Sequence, residues 1–129
     1  MNEDLLLGNA DCRVRVDAAR GGRIASLCVY GEELLVGASD DPLAWGSYPL
    51  APWAGRLRQG RFCFEGREYR MPCNSGPHAM HGTVFTRRWQ RVAADTLRIE
   101  LQPGWPFDGF AVQRFVLNDD GLDVQLELH

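Results

Sequence analysis

The sequence predicts an all-β fold, an antiparallel sandwich, on three observations. Apolar residues recur with a period of two in several separate runs. Turn-forming residues separate these runs at short intervals. No window carries the 3.6-residue period of an amphipathic helix. The 129 residues, 45% hydrophobic and 24% charged, are enough for one domain with a core of its own, and residues 1–129 read as a single domain.

The strands follow in order. Arg13-Val14-Arg15-Val16-Asp17 alternates polar and apolar side chains, as a strand with one wet face does. Gly21-Gly22 precedes a second run from Arg23 to Tyr30, and Gly31 follows it. Arg61–Phe64 and Glu68–Met71 flank Glu65-Gly66, so Phe62 to Tyr69 reads as a hairpin. Arg87–Val92 leads through Ala94-Asp95 to Leu97–Leu101, where the alternation returns. Phe110–Leu117 and Leu122–Leu128 lie either side of Asn118-Asp119-Asp120-Gly121, and the last run alternates without interruption. Short gaps rich in Gly and Asp favour antiparallel neighbours over crossovers.

Three longer loops interrupt this rhythm, and loops on a rigid scaffold are where function concentrates. Gly37 to Gly55 holds Trp45, Tyr48, Trp53 and three prolines. Pro72 to Gly82 holds Asn74, His78 and His81. Gln102 to Gly109 holds Trp105, Phe107 and Asp108. Singly, each aromatic is most simply a plug for the end of a sandwich. Together, aromatic rings beside Arg, Asn, Asp and His suit a sugar, whose C–H faces pack on rings and whose hydroxyls need polar partners.

Composition and motifs exclude several other chemistries. All fourteen basic residues are arginine, which removes Schiff-base lysine chemistry and the P-loop lysine. The net charge of −3 speaks against nucleic-acid binding, and the arginines at 56, 58, 61, 67 and 70 read as the wet face of strands. No G-x-S-x-G elbow and no G-x-G-x-x-G turn is present. Glu32-Glu33, Asp40-Asp41 and Asp119-Asp120 sit in turns and do not read as a spaced catalytic pair. Cys73, His78 and His81 are spaced C-x4-H-x2-H, but no fourth ligand stands at a matching distance, so no metal is expected. The four cysteines need no bridges, and three of them read as small core residues. Acidic residues follow Met1 and no apolar run approaches the ~20 residues of a membrane span, so the expected location is the cytoplasm and no membrane contact is expected.

The segment from Tyr48 to Trp89 resembles the aldose 1-epimerase (galactose mutarotase) family. That family carries an N-R-I segment, then G-x-F-x-x-x-G-x-x-Y-x-L-x-x-N, then H-G and a tryptophan. The counterparts here are Gly55-Arg56-Leu57, Gly60 to Asn74, His81-Gly82 and Trp89. Gly21 to Leu27 resembles the family's early G-G-x-I-x-x-L strand. Trp105-Pro106-Phe107 and Gly121-Leu122-Asp123-Val124 resemble its Y-P-F and G-L-x-V segments. The resemblance implies a sandwich of the galactose-mutarotase type, no cofactor, and a monosaccharide ligand, an aldose with or without a phosphate.

The resemblance also implies roles. The arginine of N-R-I and the histidine of H-G bind sugar oxygens in the family, and these are Arg56 and His81. Gly55 stands in place of the asparagine. Asn74 and Asp108 are further candidates for the pocket. The family's general acid, a histidine in H-P-Y/W-F, and its general base, a late glutamate, have no counterpart here. His129 lacks the acid's context, so no catalytic residue is assigned. The chain is therefore expected to be the N-terminal part of an aldose 1-epimerase sandwich, weak or inactive as an isolated enzyme. The alternative is a non-catalytic carbohydrate-binding or regulatory β-domain; a purely structural β-domain is a third reading. A half-length sandwich should leave an edge uncovered, and self-association through Leu122–Leu128 is the expected consequence.

Overall fold

The computed structural model describes residues 3–129. It contains strands and one 3-10 turn, Arg58–Gly60, and no α-helix among the described residues. Accordingly, no helix is long and apolar enough to cross a membrane.

Two four-stranded antiparallel sheets form the sandwich. The first has the order β1 (Leu5–Gly8), β2 (Cys12–Asp17), β3 (Arg23–Val29) and β4 (Glu32–Glu33). The second runs β12 (Gly121–Leu128), β11 (Phe110–Asn118), β10 (Thr96–Glu100) and β9 (Gln90–Ala93). Between them in sequence lie two small pairs: β5 (Arg56–Leu57) with β8 (Ala79–Met80), and β6 (Arg61–Phe64) with β7 (Arg67–Arg70). The predicted hairpin is present, with Glu65-Gly66 at its tip. Alternation explains the sheets directly. Leu5, Val14 and Val16 project from the first sheet, and Leu97, Ile99, Ala111 and Phe115 from the second, into one core closed by Trp89, Val84, Ala51 and Leu101.

Trp89 is wholly buried and stitches the sheets together. Its amide donates to the Ala18 carbonyl at 2.7 Å and its indole N–H to the Val84 carbonyl at 3.1 Å. The Gln113 side chain on β11 donates to the Gly22 carbonyl at 2.9 Å, crossing from one sheet to the turn that starts β3. Gly21 in that turn has φ +88°, and a Cβ there would lie 1.8 Å from the Phe85 carbonyl oxygen. The residue must be glycine because backbone occupies the space a side chain needs.

Arg23 is 1% exposed, an unusual burial for a cation. Its Nε donates to the Arg20 carbonyl at 2.7 Å, its Nη1 to Pro42 and Trp45 at 2.9 and 3.0 Å, and its Nη2 to Phe85 at 2.7 Å. The guanidinium carbon lies 4.3 Å from the Trp45 ring centroid and 4.8 Å from that of Tyr48. Burial lowers its pKa, while the charges of Tyr48 and Asp17 act in the opposite sense. Four carbonyls and two ring faces thus replace the water that the cation gives up.

The structure departs from the sequence reading at several places. Glu32-Glu33, read as part of a turn, pairs with β3 as strand β4. β9 begins at Gln90, not Arg87, because Arg87 instead donates to the Leu101 and Gln102 carbonyls across the sandwich end. Three of the four cysteines read as core residues, but Cys63 and Cys73 are exposed and Cys12 and Cys28 only half-buried; Cys63 lies on the separate β6–β7 ribbon. β12 alternates as predicted, but its apolar row is not buried. Leu122, Val124, Leu126 and Leu128 pair with Leu117, Phe115, Gln113 and Ala111, so they share the core-side face of the sheet. Yet Val124, Leu126 and Leu128 are 48%, 39% and 49% exposed, so among the described residues this row stays largely uncovered.

Three stability outcomes follow from this arrangement. Arg23→Leu strands four carbonyls in an apolar site and should cost at least about 3 kcal/mol, read as a Tm lowered by about 10 °C in thermal unfolding. Arg23→Lys should recover little of that loss, because a single ammonium cannot span four divergent acceptors. Truncation should also separate the covered and the uncovered parts of the second sheet's core-side face. Phe115→Ala should cost about 3–5 kcal/mol, and Leu126→Ser, on the uncovered row, less than about 1 kcal/mol in denaturant titration. Gly82 has φ +77°, and a Cβ there would lie 1.9 Å from the Ala51 carbonyl oxygen. Gly82→Ala should therefore destabilise the chain by about 2 kcal/mol or more, with amide shifts in NMR spectra centred on residues 51–55 and 79–83.

Candidate functional site

The short β5–β8 pair sets the geometry around the predicted residues. Arg56 is the register partner of Met80, and Leu57 of Ala79, so Arg56 and His81 become neighbours across two chain segments. The next peptide tightens the junction. The His81 amide donates to the Gly55 carbonyl at 2.9 Å, and the Gly55 amide donates to His81 Nδ1 at 3.1 Å. His81 has φ +66°, a left-handed conformation that costs a residue with a Cβ roughly 1 kcal/mol or more. Directly after it, Thr83 N–H donates to the Ala51 carbonyl at 2.8 Å and fixes the exit of the turn.

Asn74 belongs to the same cluster, but its amide is committed to the main chain. Its Nδ2 donates to the Met80 carbonyl at 3.0 Å, and its Oδ1 accepts from the Met80 amide at 2.6 Å. It therefore holds the strand that carries His81. His78 is docked in the manner of His81, with Nδ1 accepting from the Gln59 amide at 3.1 Å. Arg56 is exposed, and among the described residues its guanidinium has no ion-pair or hydrogen-bond partner. Asp108 is exposed in the loop after Phe107, and its carboxylate forms no bond to Arg56, Asn74 or His81.

Aromatic rings wall one side. Trp53 donates its indole N–H to the Gly55 carbonyl at 3.1 Å, the oxygen that also receives His81. Its ring lies 5.9 Å from Trp105, which stacks on Phe62 at 5.1 Å. Phe107 closes the group against Tyr69 at 5.0 Å. The third loop and the β6–β7 hairpin thus pack on each other, and both reach the site through Trp53. On the other side, the Tyr48 ring stands 6.2 Å from His81 and stacks on Phe85 at 5.3 Å. Among the described residues no three His, Cys, Asp or Glu side chains gather in a metal-holding group; Cys73 donates to the Pro77 carbonyl instead.

The sequence reading singled out Arg56, Asn74, His81 and Asp108, and the fold gathers the chain segments of the first three through the Arg56–Met80 pairing and the Asn74–Met80 and Gly55–His81 hydrogen bonds. It does not join Asp108 to them. What residue types could not reveal is the part played by the Gly55 peptide, since a main-chain group leaves no side-chain signature. Trp53 was legible only as one aromatic in a loop of several. An apolar and cationic cleft of about 330 Å³ lies elsewhere, lined by Arg20, Arg23, Asp40, Trp45, Phe85 and Thr86. It flanks the buried Arg23 and does not include Arg56 or His81.

Known proteins resemble this chain in sequence or in fold. Protein YihR of Escherichia coli (strain K12), described as uncharacterized, is 33% identical over an alignment covering 82% of this chain and 38% of that protein. A putative aldose 1-epimerase from E. coli K12 superposes with a TM-score of 0.81 at 26% identity, over 97% of this chain and 45% of that one. A GalM/aldose epimerase homologue from C. elegans gives 0.79 at 20% identity, over 99% and 46%. A galactose 1-epimerase from Lactobacillus acidophilus NCFM gives 0.69 at 20% identity, over 95% and 42%. At that identity the last two speak to the fold alone, which is the galactose-mutarotase sandwich. The chain spans less than half the length of these relatives. The family model for aldose 1-epimerase matches from residue 4 to residue 129, and the chain belongs to that family.

Proposed function

We propose that this chain carries the sugar-orienting part of an aldose 1-epimerase site, with Arg56 and His81 as the residues that bind an aldose. The observation that carries this reading is the double hydrogen bond between Gly55 and His81, which docks the histidine on the residue before Arg56, at the same carbonyl that receives the Trp53 indole. Aromatic rings suit the C–H face of a pyranose, and the two polar side chains suit its oxygens.

Mutarotation opens the pyranose ring. A base takes the proton from the anomeric hydroxyl while an acid protonates the ring oxygen; closure on the other face then gives the other anomer. Arg56 and His81 contribute orientation and stabilise charge that develops on oxygen. A positioned acid or base adds typically ~10²–10⁴-fold, and that contribution falls to groups outside these two. In this reading the acid and base come from the rest of a family-length fold.

A second reading, sugar binding without catalysis by residues 1–129 alone, is favoured by one observation. Asn74 is spent on the main chain, and among the described residues no carboxylate is bonded to the side chain of Arg56 or of His81. Both readings predict weak binding by the isolated chain, at millimolar affinity or worse, about −4 kcal/mol. NMR titration with glucose and galactose should shift the amides of residues 53–57 and 78–83. Arg56→Ala or His81→Ala should weaken that binding at least tenfold, about 1.4 kcal/mol, and Arg58→Ala in the 3-10 turn should leave it unchanged. Saturation transfer between the α and β anomeric protons should show little acceleration. Robust exchange catalysed by the isolated chain would overturn the assignment of acid and base to residues outside it.

A further inference from the structure

We propose that His81 is held as its Nε2–H tautomer by the Gly55 peptide, and therefore meets a ligand as a hydrogen-bond donor and not as a proton acceptor. The tautomer stands on the geometry of this chain; the ligand clause rests on the sugar-binding reading above.

The main-chain amide of Gly55 can only donate. It points at His81 Nδ1 from 3.1 Å, so that nitrogen presents a lone pair. The proton of the neutral ring then sits on Nε2. Nε2 has no partner among the described residues and is left for something outside the chain. His78 carries the same device independently, with its Nδ1 accepting from the Gln59 amide. Two histidines of one loop thus dock by the same ring nitrogen on one short segment, residues 55–59.

The docking is over-determined at His81. The Gly55 carbonyl accepts from the His81 amide at 2.9 Å and from the Trp53 indole at 3.1 Å, so the peptide that reads the ring is itself pinned. Asn74 grips Met80 through both its amide atoms, which fixes the residue before the histidine. These contacts hold His81 at φ +66° against its own backbone preference. Gly55 is thus the positioning group, and Trp53 and Asn74 support it. Arg56 adds a guanidinium that has donors and no acceptor. The two side chains together offer only N–H groups, and their match is an oxygen acting through its lone pairs.

The test begins without any sugar. Long-range ¹H–¹⁵N correlation of the ring at neutral pH should show a pyrrole-type Nε2 and a pyridine-type Nδ1 for His81, with His78 as an internal comparison. A scalar coupling across the hydrogen bond between the Gly55 nitrogen and His81 Nδ1 should be detectable. A pyrrole-type Nδ1 in the folded chain overturns the proposal. The second arm titrates galactose against two variants that share the backbone strain. His81→Gln keeps an amide N–H near the place of Nε2 and should retain affinity within about threefold. His81→Leu removes the donor and should lose at least tenfold, the loss of one directed hydrogen bond. Equal losses in the two variants would overturn the donor role. Should the wild type fail to bind galactose, the sugar reading falls, while the ligand-free nitrogen spectrum still decides the tautomer. Should a variant fail to fold, that same spectrum of the wild type decides.

Discussion

The buried guanidinium of Arg23 is the constraint on which the rest depends. A cation that has left water must be answered by dipoles, and here four carbonyls from separate places in the chain supply them: Arg20, Pro42, Trp45 and Phe85. Those acceptors belong to the turn before β3, the long first loop, and the segment just after Gly82. Satisfying one side chain therefore ties three segments to one point, alongside the Ile24–Ser47 bridge and the hydrogen bond from the Gly21 amide to the Arg87 carbonyl. The effect reaches the site through Tyr48, whose ring lies under Arg23 and against both Phe85 and His81. One ring thus links the buried charge to the segment that carries His81.

Much of the sandwich was legible because its signal is local. Period-two alternation in β2 and β10 reports a strand with two unlike faces, and glycine or aspartate between strand-like runs reports a hairpin. The elements that escaped are short. β4, β5 and β8 have two residues each, too few to show any period, and β1 is three leucines and a glycine. Strand β12 teaches a different lesson. Its alternation identifies which side chains share the core-side face, and the register with β11 agrees. Whether that face is buried depends on a second layer lying over it, and nothing within an eight-residue run specifies one.

The candidate site divides in the same way. Residue type and motif order pointed to Arg56, Asn74 and His81, since side-chain chemistry is written in the sequence. The use made of Asn74 was not. An amide can address a ligand or a peptide, and at Met80 the fold completes both halves of a main-chain hydrogen-bonding pair with it. Gly55 is the extreme case, because a residue without a side chain supplies the contacts that orient the histidine. Arg23 was equally silent: one arginine among fourteen, with nothing in its neighbours to mark it as buried.

Proton bookkeeping then defines what this part of a family fold can contribute. Moving a proton off an anomeric hydroxyl needs a lone pair to receive it, and returning one to the ring oxygen needs an acid to release it. A guanidinium does not release its proton under ordinary conditions and has no lone pair to offer. An imidazole whose Nδ1 is already accepting from a peptide has spent its lone pair, and its remaining nitrogen holds a hydrogen. Arg56 and His81 can therefore stabilise a lone pair on oxygen without taking part in the exchange of protons. Stabilising charge on oxygen works best when the donors are fixed before the charge appears, since groups already in place need no reorganisation. The clamp around His81 has that character: each bond that holds it is made within the chain. The strain at φ +66° has a reason on these terms. On the reading proposed above, it keeps a donor aimed at a sugar oxygen and leaves proton transfer to groups free to gain and lose a hydrogen.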